Sequence, residues 1–301
     1  MPSHLPESHR DYNTKVYKRC IGKIKTTNCW SGISVVTLRN WLKNFETDEE
    51  QFLAHRILDH LIYRSEPQIF SILQTLLYQT IPSVLQRNGY SSKETRNLLS
   101  ELKKVRGKLK IALNIDDDDI TSSATELGRR IKTKFWVHES NIIKLSKIHE
   151  LPKHSTVIIL DDFCGTGGQV KGAIQRNIKP NNIDIFLCPL VMHRDSENII
   201  KTHLVASGLI TDFDSVEVID GRYNIFSEKS NCFSWRNHSF HLEYKEIYKS
   251  LISRKMPSIK EKDQFGHGEQ GLIFSFHFRC PNNCIPLIWR ASETWSPLIR
   301  R

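Results

Sequence analysis

The sequence predicts an α/β protein, with an N-terminal α-helical region followed by a mostly parallel sheet with flanking helices. Two observations predict this. From Thr37 to about residue 105, apolar side chains recur at three- and four-residue spacing, the period of helices with one buried face. Beyond Thr156, short β-branched runs alternate with helical stretches, the pattern of parallel strands joined by crossover helices. A third observation locates the chemistry: one of those runs leads directly into two acids and a glycine-rich turn. In open α/β sheets, ligands bind beyond the carboxyl ends of the strands.

Taken in order, residues 1–28 mix Pro, Ser, His and Lys with little periodicity and read as a basic N-terminal arm. Residues 29–121 read as a helical region. Its first stripe runs through Trp41, Leu42, Phe45, Leu53, Ile57, Leu58 and Leu61. A second helix starts at Ser65-Glu66-Pro67, a cap followed by an early proline, and a third at the capping box Ser91…Glu94. The basic run 101–110 and the acidic run Asp116 to Asp119 read as solvated helix faces or loops. Residues 122–301 read as the α/β domain. It opens with a helix over Thr125–Phe135. Strands follow at Thr156–Leu160, Ile183–Pro189, Val216–Ile219 and Leu272–Phe278, with helices at Gly168–Asn177 and Ser196–Ser207. A Pro/Asn/Trp-rich tail closes the chain.

Composition narrows the function classes. Forty-three Lys+Arg against 33 Asp+Glu leave a net charge of +10, which favours anionic partners such as nucleic acid or phosphorylated ligands. No apolar run has the length needed to span a bilayer, so an integral membrane protein is not expected. The first residues lack the apolar core of a secretory signal. Seven cysteines at irregular spacing do not form a disulfide framework, and the expectation is a soluble cytoplasmic protein.

The segment from Val157 to Gln169 reads VIILDDFCGTGGQ: a buried strand, two carboxylates, a small-residue turn and the start of a helix. A glycine turn entering a helix presents unpaired N–H groups and the positive end of the helix dipole, which suits a phosphate. Thr166 adds a hydroxyl donor. Adjacent acids repel a phosphate but accept from sugar hydroxyls or hold a hard cation such as Mg²⁺. Phosphate, polyol and metal within one turn describe a phosphorylated ribose.

This segment resembles the type I phosphoribosyltransferases, whose fingerprint is a hydrophobic strand, two acids, three variable residues, then Thr-Gly and a small residue. LDDFCGTGG looks especially like the adenine phosphoribosyltransferase version. The resemblance implies that Asp161 and Asp162, the candidate catalytic and metal-binding pair, hold the ribose hydroxyls of 5-phosphoribosyl 1-diphosphate, directly or through Mg²⁺. It implies that Gly165, Thr166, Gly167, Gly168 and Gln169 cradle the 5-phosphate. Several members carry an acid where Gly165 stands, which leaves base catalysis from the loop open. Most have Thr or Ser where Gln169 stands.

A wider resemblance is to the phosphoribosyltransferase-like proteins of bacterial conflict systems, including effectors encoded beside retron reverse transcriptases. It covers the N-terminal helical segment, the LDDF-x-GTGGQ loop, and the set Pro281, Asn282, Asn283, Pro286 and Trp289. The late Trp295, Pro297, Leu298 and Arg301 complete it. It implies a pentosyltransferase, or an enzyme acting on a ribosyl bond, serving as a toxic antiviral effector in a bacterial cytoplasm with a partner such as a reverse transcriptase. Ser122, Ser123, Arg129 and Arg130 sit where such proteins have their diphosphate-binding loop. Asn282, Asn283 and Trp289 are candidate ligand or base contacts, although a tryptophan in a Pro-rich tail more often packs against its domain.

Other readings compete. FCGTGG is similar to the cofactor loop of cytosine methyltransferases, but those need a downstream Pro-Cys, and here only Cys188-Pro189 and Cys280-Pro281 occur. Cys280, Cys284, His267 and His277 lack the tight four-ligand spacing of structural zinc. A catalytically inactive sensor of the same fold, or a basic module binding RNA or single-stranded DNA, are the functional alternatives.

Overall fold

The computed structural model describes residues 5–114, 123–179, 183–233 and 238–299. Two compact units emerge: Met1–Ile69 with Asp220–Arg301, and Phe70–Ile219. The units group segments that the sequence reading assigned to different regions, because strand pairing joins residues far apart in the chain.

The first unit begins with helices α1 (His9–Lys25), α2 (Val35–Leu42) and α3 (Asp48–His60), then strand β1 (Ile62–Arg64). The stretch read as a basic arm is therefore largely helix. Val16 and Cys20, four apart, are buried, and Tyr12 one turn earlier lies 5.3 Å from the Phe52 ring and donates to Asp59 at 3.0 Å. The exposed Lys and Arg side chains dilute that stripe until it is invisible in composition. Thr47 caps α3 by accepting from the Glu50 amide, and Asp48, Glu49 and Glu50 fill its first turn.

The second unit carries α4 (Glu66–Thr75) past its first residues, a π turn at Leu76–Thr80, and α5 (Ile81–Arg87). Next come α6 (Ser92–Arg96) and α7 (Leu98–Lys103), with both bonds of the Ser91/Glu94 capping box formed. Strand β2 (Leu109–Leu113), helix α8 (Ser123–Phe135), and strands β3 (Ile142–Lys144), β4 (Thr156–Leu160) and β5 (Phe163–Cys164) follow. The unit closes with α9 (Gly168–Asn177), β6 (Asp184–Leu187), β7 (Val191–His193), α10 (Arg194–Ile200), β8 (Asp212–Phe213) and β9 (Glu217–Ile219).

The strands of this unit are all parallel, in the order β3-β2-β4-β6-β8 with a second tier β5-β7-β9. Each second-tier strand continues a first-tier one after a short break. Backbone bonds bridge the breaks: Leu190 N–H donates to Asp161 O at 2.9 Å, and Val191 N–H to Asp162 O at 3.2 Å. Val157, Ile159, Ile185 and Leu187 turn one way into a core shared with Val170 and Ile174 of α9. Phe186 turns the other way, edge-on to Tyr90 at 6.1 Å. Burial on both faces is why β4 is an unbroken apolar run.

The basic run 101–110 is not simply a solvated face. Its last two residues open β2, which lies between β3 and β4. Lys110 is only 9% exposed, with its ammonium on Ser140 O (3.0 Å) and Asn141 Oδ1 (2.7 Å). The acidic run Asp116–Asp119 lies outside the described residues.

The chain then returns to the first unit with α11 (His238–Lys255), β10 (Phe274–Phe276) and α12 (Pro286–Trp289). β10 pairs in parallel with β1, Ile62 opposite Phe274. Among the described residues, no helix is long and apolar enough to cross a membrane.

Candidate functional site

Asp161 and Asp162 occupy the break between β4 and β5, where the backbone bends while its carbonyls stay bonded to Leu190 and Val191, where β6 passes into β7. Asp162 is 7% exposed and Asp161 half-buried. One oxygen of Asp161 accepts from the Asp162 amide at 3.0 Å, which orients the carboxylate. Two neighbouring carboxylates at the carboxyl edge of a parallel sheet suit hydroxyl groups or one hard cation.

The following turn is built from small residues for geometric reasons. Gly167 has φ +80°, a left-handed conformation, and a Cβ there would lie 3.2 Å from Ile199 and from Ser196. Both constraints require glycine. Thr166 Oγ1 accepts from the Gly168 amide at 3.4 Å at the mouth of α9. Gly168 and Gln169 are exposed, while Gly165 and Gly167 are buried.

Helix α9 has no acidic residue in its first turn and no side-chain cap bond from Gly167. Helix α3, by contrast, is closed by Thr47 and three acids. Beyond the 3.4 Å bond from Gly168 to Thr166, the first amides and the dipole of α9 are therefore open to an external anion, whereas those of α3 are answered within the protein.

Cys164 lies within the turn at 3% exposure. Burial pushes its thiol up to about 12. The nearby Asp161 charge adds to this, while hydrogen bonds with Ser196 and the Gly167 backbone oppose it. It is a neutral filler rather than a thiolate nucleophile.

Sequence reasoning missed the wall behind the turn. Because β5 pairs with β7, Cys164 opposite Met192, the start of α10 is carried against Gly167. Ser196 is fully buried and donates to His193 O at 2.7 Å. His193, 4% exposed, caps α10 by accepting from the Asp195 amide at 3.2 Å and lies 3.1 Å from the Asp195 carboxylate. The only sequence sign was His-Arg-Asp-Ser, polar residues at a strand–helix junction.

Leu113, the last residue of β2, pairs with Leu160, so the chain leaves β2 at the same sheet edge as Asp161. Ser122 lies outside the described residues, and Ser123 opens α8. Arg129 grips Glu126 with two bonds, 2.8 and 2.7 Å, and Arg130, 7% exposed, is ion-paired with the same carboxylate at 2.7 Å. The Arg129 hydrogen bond, then the charges of both arginines, hold Glu126 below its ordinary range against the effect of burial.

Asn282, Asn283 and Trp289 belong to the first unit. Asn283 donates to His267 O at 3.1 Å, Asn282 O accepts from the His267 amide at 2.8 Å, and Trp289 Nε1 donates to Cys284 O at 3.2 Å. These bonds fix the 265–290 loop. Cys280 and Cys284 are fully buried and donate to Phe274 O, and His277 bonds Ser31 O at 2.8 Å.

A family model described as PRTase-CE matches residues 38–301, most of the chain, and the chain belongs to that phosphoribosyltransferase-like family. No curated protein matches it.

Proposed function

From membership of the PRTase-CE family and the architecture of the Asp161–Gln169 turn, we propose that the protein binds 5-phosphoribosyl 1-diphosphate and transfers or cleaves a ribosyl group. We place it as an effector of a bacterial antiviral defence system, with a retron reverse transcriptase as the partner to test. The observation that carries the ligand reading is the pairing of two carboxylates with an acid-free helix N-terminus whose cap, Gly167, follows Asp162 by five residues. Backbone amides of Gly168 and Gln169 with the Thr166 hydroxyl would hold the 5-phosphate. Asp161 and Asp162 would orient the sugar hydroxyls as positive charge develops at the anomeric carbon.

The donor set fits Mg²⁺. Two carboxylates are present, one already oriented by an amide, and among the described residues no cluster of three or more His, Cys, Asp or Glu exists to form a closed metal cage. Mg²⁺ is held in this way, by one or two carboxylates together with water and substrate phosphates. When bound, it would neutralise charge on the departing diphosphate. Arg129 and Arg130 could meet that diphosphate only by releasing Glu126.

The test is calorimetry with 5-phosphoribosyl 1-diphosphate and Mg²⁺, alongside diphosphate release, for wild type and Asp161→Asn/Asp162→Asn. The expected result is binding and release in wild type, with release abolished and affinity reduced at least about tenfold in the variant. Binding without release under any acceptor would make the protein a sensor. Absence of binding would remove the ribose-phosphate reading and leave RNA or single-stranded DNA as the partner to test.

A further inference from the structure

The opposite edge of the second unit's sheet carries a cleft of about 670 Å³. Leu109 and Thr156, the first residues of β2 and β4, reach it from the sheet, and α6 and α7 border it through Lys93, Leu98 and Glu101. Strand β4 separates it from Asp161 by about 16 Å, at roughly 3.3 Å per residue. It is therefore a separate site from the turn at Asp161–Gln169.

Its charge is unbalanced. Lys93, Arg106, Lys108 and His154 line it, and their side chains have no acidic partner among the described residues. Both acids in the lining are occupied. One Glu94 oxygen accepts from the Ser91 amide and from the Ser91 hydroxyl, both at 2.7 Å, and Glu101 pairs with Lys104. Just behind, the buried Lys110 ammonium has neutral partners only, and burial followed by the Arg106 charge lowers its pKa. Lys93, Lys104, Arg106 and Lys108 thus outnumber Glu94 and Glu101 in the lining by two charges, and the excess concentrates positive potential there.

The backbone is strained at the same place. Arg106 (φ +54°) and His154 (φ +63°) are two of the five non-glycine residues in the left-handed region among those described. Such conformations are strained and persist where the surroundings impose them. Here they set two basic side chains on one rim. Leu85, Leu98 and Leu109 supply an apolar floor, with the Tyr90 phenol fixed by Asp184 at 2.6 Å and Thr156 at 2.8 Å. The volume falls within the roughly 300–1,000 Å³ typical of small-molecule sites.

We propose that this cleft binds a phosphorylated small molecule of nucleotide size, its phosphates on Lys93, Arg106, Lys108 and His154 and its apolar part on the leucine floor. The cations match phosphate by charge-assisted hydrogen bonding, and the leucines match a flat, weakly polar ring system. The proposal does not rest on the reading of Asp161–Gln169.

ATP in EDTA is the probe, titrated calorimetrically into the full chain at about 0.1 M salt, where surface charges act over about 10 Å. Three proteins are compared: wild type, Arg106→Gly/Lys108→Gln, and Thr166→Glu, which places a repelling carboxylate in the other turn. Both substituted cleft residues are exposed, and glycine relieves the positive φ at 106, so the double variant keeps its fold; its melting curve checks this. The expected result is equal affinity in wild type and Thr166→Glu, and a loss of at least about tenfold in the double variant. Unchanged affinity in the double variant, loss in Thr166→Glu alone, or no ATP binding to wild type would overturn the proposal. A single-stranded RNA oligonucleotide that binds through Arg106 and Lys108 and is not displaced by ATP would overturn its small-molecule class.

Discussion

The two ends of β4 make the same kind of offer to an anion by different means. At its carboxyl end the donors are backbone amides at the start of α9, led by a left-handed glycine and with no acidic residue in the helix's first turn. At its amino end they are side-chain cations around an apolar floor, with the local acids already occupied. A backbone site depends on one left-handed glycine and is geometrically exacting. A side-chain site depends on charge and tolerates changes of shape. Substitutions should therefore act oppositely at the two ends.

The largest expected effect is at the carboxyl end. Gly167→Ala should destabilise the protein by about 1–3 kcal/mol, through the left-handed strain and the 3.2 Å approach to Ile199 and Ser196, and should remove phosphate affinity with it. Urea unfolding and calorimetry on the same sample would show both losses together. At the amino end, Arg106→Gly alone should leave stability unchanged or raised by up to about 1 kcal/mol while weakening ATP binding. Parallel falls in stability and affinity there would erase the contrast.

A smaller effect concerns β8, which Arg87 ties to α5 through Asp212 (2.6 Å), Asp214 (2.8 Å) and Phe213 O (2.6 Å). Burial raises the Asp212 carboxyl, but hydrogen bonds from Arg87 and Asn88 outweigh it and leave its pKa lowered. A depressed carboxyl contributes stability that is present above its unfolded value near 4 and is lost as pH falls through the folded value. Unfolding free energies between pH 7 and 3 should fall more steeply below about pH 4 in wild type than in Arg87→Ala, which itself costs about 1 kcal/mol at neutral pH. The smallest effect is chemical. At pH 8, iodoacetamide should modify the exposed Cys29 while the buried, protonated Cys164 stays unmodified, as peptide mass mapping would show.

How far the sequence could be read depends on the element. β4 and α9 were legible because a fully buried strand shows an unbroken apolar run and a left-handed helix start shows its glycine. β2 was not, because Lys110 breaks its apolar run and Lys108 stands just before it, and the Ser140 carbonyl and the Asn141 side-chain oxygen make the buried lysine acceptable there. α1 was hidden by its basic surface residues. The wall of Ser196 and His193 was hidden because it reaches the turn through the pairing of β5 with β7, contact between residues some thirty positions apart.

By itself the sequence determined the parallel α/β character, the acid pair and the glycine turn into a helix, because each rests on local periodicity or on one residue's backbone freedom. Tertiary structure alone decided which distant segments form each unit, that Ser196 and His193 stand behind the turn, and that the basic run borders a cleft. Those outcomes depend on strand order and register, which bring together residues that no local pattern connects.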